Sequence, residues 1–289
     1  MIGLSICIPV HNFNCIESVK ALCEQIENLT TKAEIIVIDD ASSIALNELE
    51  NFDNPNYSFE KLSKNLGRAK IRNLLGKKAK FSHLLFIDGD SGIPENFLKT
   101  YIETIKKHPE AVICGGRLHK LIANSKKCLR YHYGVKYEDS KALDRQKEPY
   151  NGFMTNNFIV TKNILVRIPF NETINTYGHE DTFFGFELET NGISIIHIDN
   201  PVTHLELESN NIFIKKTKQA IENLVFLKNQ YPSFNSHSTL LKKANRFYFL
   251  KPIAPILSKG FAFLANTTQS VYSFQVFKLF YMISINNQK

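Results

Sequence analysis

Apolar and polar positions along the first two hundred residues follow two spacings, one typical of strands and one typical of helices. Short β-branched runs at 3–10 and 33–39 are typical of buried strands. Between them, from Cys15 to Leu29, apolar residues recur at helical spacing, which predicts a helix. Because strands that alternate with helices are the mark of βαβ units, we predict an α/β fold.

The same alternation continues to about residue 206. Predicted helices cover 44–52, 68–79, 94–108 and 180–192, and predicted strands cover 57–62, 83–88, 110–116 and 193–199. Residues 118–150 break the pattern, so we expect a long loop or a small ribbon over a site there. The expected architecture is a mixed, mainly parallel sheet flanked by helices, and residues 212–231 predict one further, amphipathic helix.

Three predicted strands end in polar residues. The first is followed by 9–12, the second by Asp39 and Asp40, and the fourth by Asp88 and Asp90. Ligands of such sheets bind beyond the carboxyl ends of the strands, so these side chains should meet at one edge. Paired carboxylates repel each other, and their oxygens suit a hard cation such as Mg²⁺ or Mn²⁺. The alternative is a solvated turn, for which Asp-Gly-Asp is equally suited.

Composition narrows the class of protein. A chain of 289 residues with 43% hydrophobic content can bury a large core, and it shows no internal repeat. The N-terminal segment is typical of a first strand, and five cysteines without metal-binding spacing indicate reduced, buried thiols in a cytoplasmic protein. Neither G-x-G-x-x-G nor G-x-x-x-x-G-K-[ST] occurs, which disfavours dehydrogenases and P-loop proteins.

Five segments carry the polar residues of the predicted sheet edge and of one helix start. They are SICIPVHN, IIVIDDAS, NLGRAKIRN, LLFIDGDS and GHEDTFFGFEL. In this order and spacing they resemble the family 2 glycosyltransferases of the GT-A fold. This is the Rossmann-like fold of nucleotide-diphospho-sugar transferases. The resemblance implies a catalytic domain over 1–206 and a basic, aromatic-rich helical extension over 207–289. The last segment is also similar to the C-terminal G-x-E-D motif of galactosyltransferase-type and chondroitin-polymerase-type enzymes.

The resemblance implies a site for a nucleotide-sugar donor, with UDP as the common choice in the family. Asp40 matches the residue that accepts a hydrogen bond from the nucleobase. The other implied donor-site residues are Pro9, Asn12, Gly67, Arg68, Arg72, Asp88 and Gly89. Guanidinium groups suit phosphate oxygens, and a glycine permits close backbone approach. The alternatives are that Asp40 caps the next helix and that the two arginines are solvent-exposed.

The same resemblance implies a metal site at Asp88 and Asp90, with His204 as a third ligand. A lone histidine is also often a packed or solvated residue, and that alternative stays open. The cofactor is Mn²⁺ or Mg²⁺, and a histidine ligand favours Mn²⁺.

Glu180 and Asp181 are implied to carry the reaction. Inverting transfer needs a base on the side of the anomeric carbon opposite the leaving diphosphate, and we assign that role to Asp181. Glu180 is assigned to a hydroxyl of the acceptor or of the sugar. The alternative is that both acids only complement the N-terminus of the helix that follows.

The predicted function is an inverting, metal-dependent glycosyltransferase that adds one sugar to a glycan or a lipid-linked saccharide. The processive Q-x-x-R-W motif and tryptophan are both absent, so single transfers are expected. The chain also departs from relatives by having MTNNF where many carry a small-residue run, so acceptor contacts should differ. One alternative is a catalytically silent binding module of the same fold. A further one is another metal-carboxylate enzyme, such as a nucleotidyltransferase or a phosphatase.

Charge is concentrated in the last part of the chain. Residues 207–289 contain eleven Lys and Arg and two Glu, whereas the whole chain has a net charge of +7. Basic residues beside Phe and Tyr are consistent with a peripheral contact to an anionic inner membrane. The alternative is a helical extension that packs on the core or forms a homodimer. No nucleic-acid-binding module is recognised, so nucleic acid is not an expected partner.

Overall fold

A computed structural model describes residues 2–121 and 128–286. The chain divides into two compact units, each built from separate stretches of sequence. The first unit comprises Met1–Lys120, Glu138–Asn175 and Glu180–Glu206, and the second comprises Leu121–Tyr137, Thr176–His179 and Leu207–Lys289.

All ten strands of the described residues belong to the first unit. They are β1 (Gly3–Val10), β2 (Lys32–Asp39), β3 (Tyr57–Lys61), β4 (His83–Ile87), β5 (Ser91–Gly92), β6 (Val112–Cys114), β7 (Arg117–His119), β8 (Asn157–Thr161), β9 (Ile195–His197) and β10 (Val202–His204). Seven form one sheet in the order β3-β2-β1-β4-β8-β6-β9. Only β8 runs antiparallel to its neighbours, β4 and β6. The predicted mixed, mainly parallel sheet is therefore confirmed.

Helices follow most of these strands. Those of the first unit are α1 (Ile16–Glu27), α2 (Asn47–Glu50), α3 (Arg68–Lys78), α4 (Phe97–Lys107), α6 (Ala142–Arg145), α7 (Lys162–Arg167) and α8 (Glu180–Thr190), and those of the second are α5 (Leu129–Tyr137), α9 (Asn210–Gln230), α10 (Thr239–Arg246), α11 (Ala254–Thr268) and α12 (Val271–Ile285). Among the described residues, Pro232–Ser236 and Tyr248–Leu250 form 3-10 helices. In the described parts of the chain, none of the helices combines the length and the apolar character that a bilayer-spanning helix needs.

The central strands are buried on both faces. Along β4, Leu85 and Ile87 pack into one hydrophobic cluster, whereas Leu84 and Phe86 pack into a second one. Successive side chains of a strand point to opposite faces, so a continuous apolar run supplies two cores at once. Each such side chain contributes about 1.5–3 kcal/mol through burial. This sheet fixes the position of the polar residues that follow its strands.

A second, three-stranded sheet has the order β5-β10-β7. Its pairing places His204 of β10 opposite Ser91 of β5 and beside His119 of β7. The backbone N–H of Leu205 also donates to the carbonyl of Asp90 at 2.9 Å. His204 is thus brought to the Asp-Gly-Asp turn from more than a hundred residues away.

The prediction of a loop or ribbon over 118–150 was wrong in part. Helices α5 and α6 lie in this region, while residues 122–127 fall outside the described residues. Leu129 of α5 joins a cluster of the second unit with Phe213 and Phe274. The helical spacing was not recognised in the sequence, because the apolar residues of α5 lie between many basic and aromatic ones.

Candidate active site

The Asp-Gly-Asp turn begins where β4 ends. The N–H of Asp88 donates to the carbonyl of Asn156 at 3.1 Å, and the N–H of Ser91 donates to the carbonyl of Asp88 at 3.2 Å. A Cβ atom at Gly89 would lie 3.0 Å from Val10 Cγ2 and 3.3 Å from the carbonyl oxygen of Pro9. The glycine therefore lets the turn pack against the end of β1, and the predicted convergence of these two strand ends is present in the structure.

Asp88 lies between two guanidinium groups. Arg72 Nη2 is 2.7 Å from Asp88 Oδ1, and Arg117 Nη2 is 3.7 Å from Asp88 Oδ2. Arg72 is only 1% exposed, so the expectation of a solvent-exposed arginine does not apply to it. A buried charge of this kind needs a partner, which Asp88 supplies. The phosphate contact predicted for Arg72 stays a prediction.

Glu180 continues the same network at the start of α8. Its Oε1 lies 3.4 Å from Arg68 Nη1 and 3.6 Å from Arg72 Nη1. Burial would raise the pKa of Glu180, but the charges of Arg68 and Arg72 outweigh that effect and lower it. Arg72 therefore connects Asp88 after β4 to Glu180 on α8.

Asp181, the next residue, has a different environment. Its Oδ1 accepts hydrogen bonds from the backbone N–H and the hydroxyl of Thr182, at 2.6 and 3.2 Å. Burial and the neighbouring charge of Glu180 raise the pKa of Asp181 to about 6. A carboxylate with a pKa close to the working pH accepts a proton more readily than an ordinary aspartate. The two adjacent acids thus have pKa values displaced in opposite directions.

Asp90 contacts His204. His204 Nε2 lies 2.9 Å from Asp90 Oδ2, whereas Asp90 Oδ1 is buried and has no hydrogen-bond partner among the described residues. Burial would raise the pKa of Asp90, but the hydrogen bond and charge of His204, with the charges of Arg117 and Arg68, lower it overall. An ionised, buried carboxylate oxygen in this state is a suitable ligand for a cation.

The predicted three-residue metal site is not assembled as such. Within residues 2–121 and 128–286, no group of three His, Cys, Asp or Glu side chains is placed to hold a metal ion. Asp90 and His204 fit a two-residue site, whose other positions substrate phosphates and water could fill. Asp88 is instead occupied by Arg72 and Arg117. Its role as a metal ligand stays a prediction.

Asp40 organises the loop before α3. Its two carboxylate oxygens accept hydrogen bonds from the N–H groups of Leu66 at 2.6 Å and Gly67 at 3.0 Å. Gly67 has a φ of +83°, a conformation that favours glycine. Asp40 thus holds the segment that leads to Arg68, and it does so without capping α2. Nucleobase recognition by Asp40 stays a prediction.

Asn12 joins two loops at the same sheet edge. Its N–H donates to Ser42 Oγ at 2.7 Å, and its Oδ1 accepts from the N–H of Ser43 at 2.7 Å. Asn12 itself has a φ of +55°, which asparagine tolerates better than most residues. The side chain therefore fixes the loop after β1 to the loop after β2, next to Pro9.

Four residues of this region were not identified from the sequence. Arg117 Nη1 contacts Glu138 Oε2 at 3.2 Å, and His119 Nδ1 contacts Asp139 Oδ1 at 2.6 Å. The ring of His119 also packs edge-on against the ring of His204, with 5.0 Å between centroids. No local motif marks these residues, because the contact of His119 with His204 depends on pairing between β7 and β10, and Glu138 and Asp139 reach β7 from the segment after α5.

The two asparagines of the MTNNF segment differ in their roles. The Asn157 amide donates to the carbonyl of Gly116 at 3.0 Å and to that of Asn200 at 2.9 Å, so it is structural. The Nδ2 atom of Asn156 is buried and, among the described residues, has no hydrogen-bond partner.

A comparison with protein-family models gives a match to the model described as glycosyl transferase family 2, over residues 5–182. The chain belongs to glycosyl transferase family 2. The matched residues include the strand ends of β1, β2 and β4 and the two acids at the start of α8. The predicted likeness of the G-x-E-D segment to galactosyltransferase-type enzymes stays a prediction, because the matching model is described only as glycosyl transferase family 2.

Solved structures of S. aureus TarS share the fold of this family 2 member. The structure of TarS 1–349 has 18% sequence identity and a TM-score of 0.54, with 98% of this chain and 90% of that chain covered. The complex of TarS 1–349 with UDP-GlcNAc gives the same values. A longer TarS structure has 17% identity and a TM-score of 0.54, with 96% of this chain and 55% of that chain covered. A search of curated proteins gave no match.

Proposed function

We propose that this family 2 glycosyltransferase transfers a single sugar, with inversion, from a nucleotide-diphosphate sugar to an acceptor hydroxyl. The observation that carries the proposal is the contrast between two adjacent acids. Glu180 is ion-paired with Arg68 and Arg72, whereas Asp181 accepts hydrogen bonds from Thr182 and has a pKa raised to about 6. An ionised neighbour and a carboxylate ready to accept a proton are what an inverting base requires.

In this proposal, Asp181 acts as the base. The acceptor oxygen forms a bond to the anomeric carbon while its proton moves to Asp181. The bond between that carbon and the diphosphate oxygen breaks, and the nucleoside diphosphate leaves with the electron pair. Arg68, which is partly exposed beside Glu180, supplies positive charge for the leaving diphosphate.

Asp90 and His204 are the residues that would hold a divalent cation, Mn²⁺ or Mg²⁺. When bound, the cation would supply further positive charge against the departing diphosphate. Support comes from the buried Asp90 Oδ1, which lacks a partner among the described residues, and from the contact between Asp90 and His204. Arg72 and Arg117 would keep Asp88 oriented towards the donor.

UDP is the proposed nucleotide, since the structurally similar TarS 1–349 was solved with UDP-GlcNAc. The proposed acceptor is a glycan or a lipid-linked saccharide. A cytoplasmic location is also proposed, because all five cysteines are buried and free of disulfides. The division into a catalytic domain at 1–206 and an extension at 207–289 is part of the same proposal.

The test is a calorimetric titration of UDP, GDP and dTDP into metal-stripped protein, with and without Mn²⁺. One nucleotide should bind, and Mn²⁺ should strengthen its binding in the wild type but not in Asp90→Asn. Asp144→Asn is the matched control, because Asp144 is an exposed carboxylate paired with Lys147. Absence of binding by all three nucleotides to folded protein would contradict the donor site. Binding without sugar transfer to any acceptor tested would favour the silent binding module.

A further inference from the structure

Helix α11 of the second unit presents an apolar outer face to solvent. Ile256 and Phe263 are 74% and 67% exposed, and they lie seven residues apart, which places them on the same side of a helix. Lys259 and Gly260, both exposed, lie between them on that side. We call these four residues the α11 outer face. The opposite side of the helix is buried, at positions Ala254, Ser258 and Ala265.

The segment that leads to α11 is also exposed and apolar. Phe249 and Ile253, which lie between α10 and α11, are both solvent-exposed. Before them, α10 buries Leu241 and Ala244 and exposes a basic side. That side consists of Lys242, Lys243 and Arg246. A cationic helix is therefore followed directly by exposed large apolar side chains.

The part of the chain that contains these residues carries charge of one sign. From residue 223 to the end of the chain there are eight Lys and Arg and no Asp or Glu. A helix with large apolar residues on one side and basic residues nearby is typical of proteins that lie in the headgroup region of a membrane. Anionic lipid supplies the negative charge that this part of the chain lacks.

We propose that the α11 outer face, together with Phe249 and the basic side of α10, docks on an anionic lipid surface. Phe263 and Ile256 enter the boundary between headgroups and acyl chains, and Lys259 contacts lipid phosphates. A helix of 15 residues is about 22 Å long, which is shorter than the roughly 30 Å hydrocarbon core of a bilayer. In this proposal α11 therefore lies along the surface. The proposal concerns lipid binding and is independent of the proposed transferase activity.

A second copy of the chain is a poorer occupant of this face. A symmetric pair would bring the same residues together from both copies. Lys259 of each copy would then be enclosed beside the other, with no acidic residue from the same part of the chain to compensate it. A lipid surface has no such conflict.

The test is co-sedimentation with vesicles of phosphatidylcholine alone and of phosphatidylcholine mixed with phosphatidylglycerol. The wild type should bind the anionic vesicles, and binding should fall when salt is raised, because screening shortens the range of these charges to about 3 Å at 1 M. The double variant Ile256→Asp/Phe263→Asp should bind at least about tenfold more weakly. Lys242→Glu/Lys243→Glu, which keeps the apolar residues, should lose the preference for anionic vesicles.

The matched control is Leu143→Asp/Val166→Asp, which places two acids at exposed apolar positions of the first unit. It should bind vesicles as the wild type does, and circular dichroism should show that all variants are folded. Equal loss in this control, or equal binding of the wild type to both vesicle types, would overturn the proposal. Absence of vesicle binding with a dimer seen by light scattering would assign the face to a second copy.

Discussion

The two units of the chain treat charge in opposite ways. In the first unit, Asp88 and Glu180 are each held by arginines, and Arg72 is 1% exposed between them. In the second unit, the residues from 223 onward include eight cations and no acid, and those of α10 are exposed. A buried charge needs an ion-pair partner within the protein, whereas an exposed cation is solvated by water and can bind a partner from another molecule. The comparison separates a region built for fixed geometry from one suited to an external surface.

The largest expected effect is on catalysis. Asp181→Asn should lower kcat by about 10²–10⁴-fold, because it removes the general base. Its melting temperature should not fall, since a carboxyl group with a raised pKa is less stable ionised in the folded protein than in the unfolded one. Steady-state rates and thermal unfolding at pH 8 check both parts. Asp144→Asn should leave kcat unchanged. A stable variant with full activity would eliminate Asp181 as the base.

Next in size is the effect of removing the shared arginine. Arg72→Met should destabilise the protein by about 3–5 kcal/mol, because the buried Glu180 and the partly buried Asp88 each lose an ion-pair partner. Arg68→Met, at a partly exposed position, should have a small effect on stability and a larger one on the KM for the donor. Urea unfolding and donor kinetics of the two variants measure this difference. Equal destabilisation by both would show that burial does not distinguish the two arginines.

The pH dependence follows from the raised pKa of Asp181. Activity should fall as the pH drops through about 6, because the base becomes protonated. The stability contribution has the opposite direction. Between the ordinary value of 3.8 and about 6, the folded state binds more protons at this group, so its contribution to stability falls as pH rises. A profile of kcat against pH, with Mn²⁺ held constant, should show the acidic limb. A flat profile down to pH 5 would contradict it.

The smallest expected effect lies in the second unit. No atom lies within 4 Å of the position that a Cβ would take at Gly260, which is inside α11. Gly260→Ala should therefore stabilise this helix by about 0.5–1 kcal/mol and should leave sugar transfer unchanged. Gly89→Ala, where a Cβ would lie 3.0 Å from Val10, should destabilise the first unit and weaken donor binding. Unfolding measurements on both variants test the pair, and stabilisation by Gly89→Ala would contradict the close approach to β1.

Many strands and helices of the first unit could be predicted from the sequence, because the spacing of apolar residues indicates which side chains are buried. The apolar run of β4 and the polar residues after it follow from a strand that is buried up to a sheet edge. The positions of Asp88 and Asp90 could be named for the same reason, whereas Asp181 was named from the family resemblance. The identity of the family could be inferred because five segments carried it together.

Other features of the site depend on contacts that no local pattern records. His119 meets His204 because β7 and β10 pair in the second sheet, and Arg117 meets Glu138 because the chain after α5 returns to β7. The hydrogen bonds from the N–H groups of Leu66 and Gly67 to Asp40 likewise depend on the conformation of the loop before α3. Helix α5 escaped prediction because its apolar residues are few and lie between charged and aromatic ones. Nothing in the sequence marked 121–137 and 176–179 as parts of the second unit.

Arg72 has a consequence for how such a site can change over generations. It touches one acid that follows a strand and another that begins a helix, more than ninety residues later in the chain. Loss of either acid removes one ion-pair partner from the buried guanidinium group of Arg72. Loss of Arg72 removes an ion-pair partner from both acids. We therefore expect these three positions to vary together among homologues. A homologue with a substitution at one of them should also have substitutions at the other two.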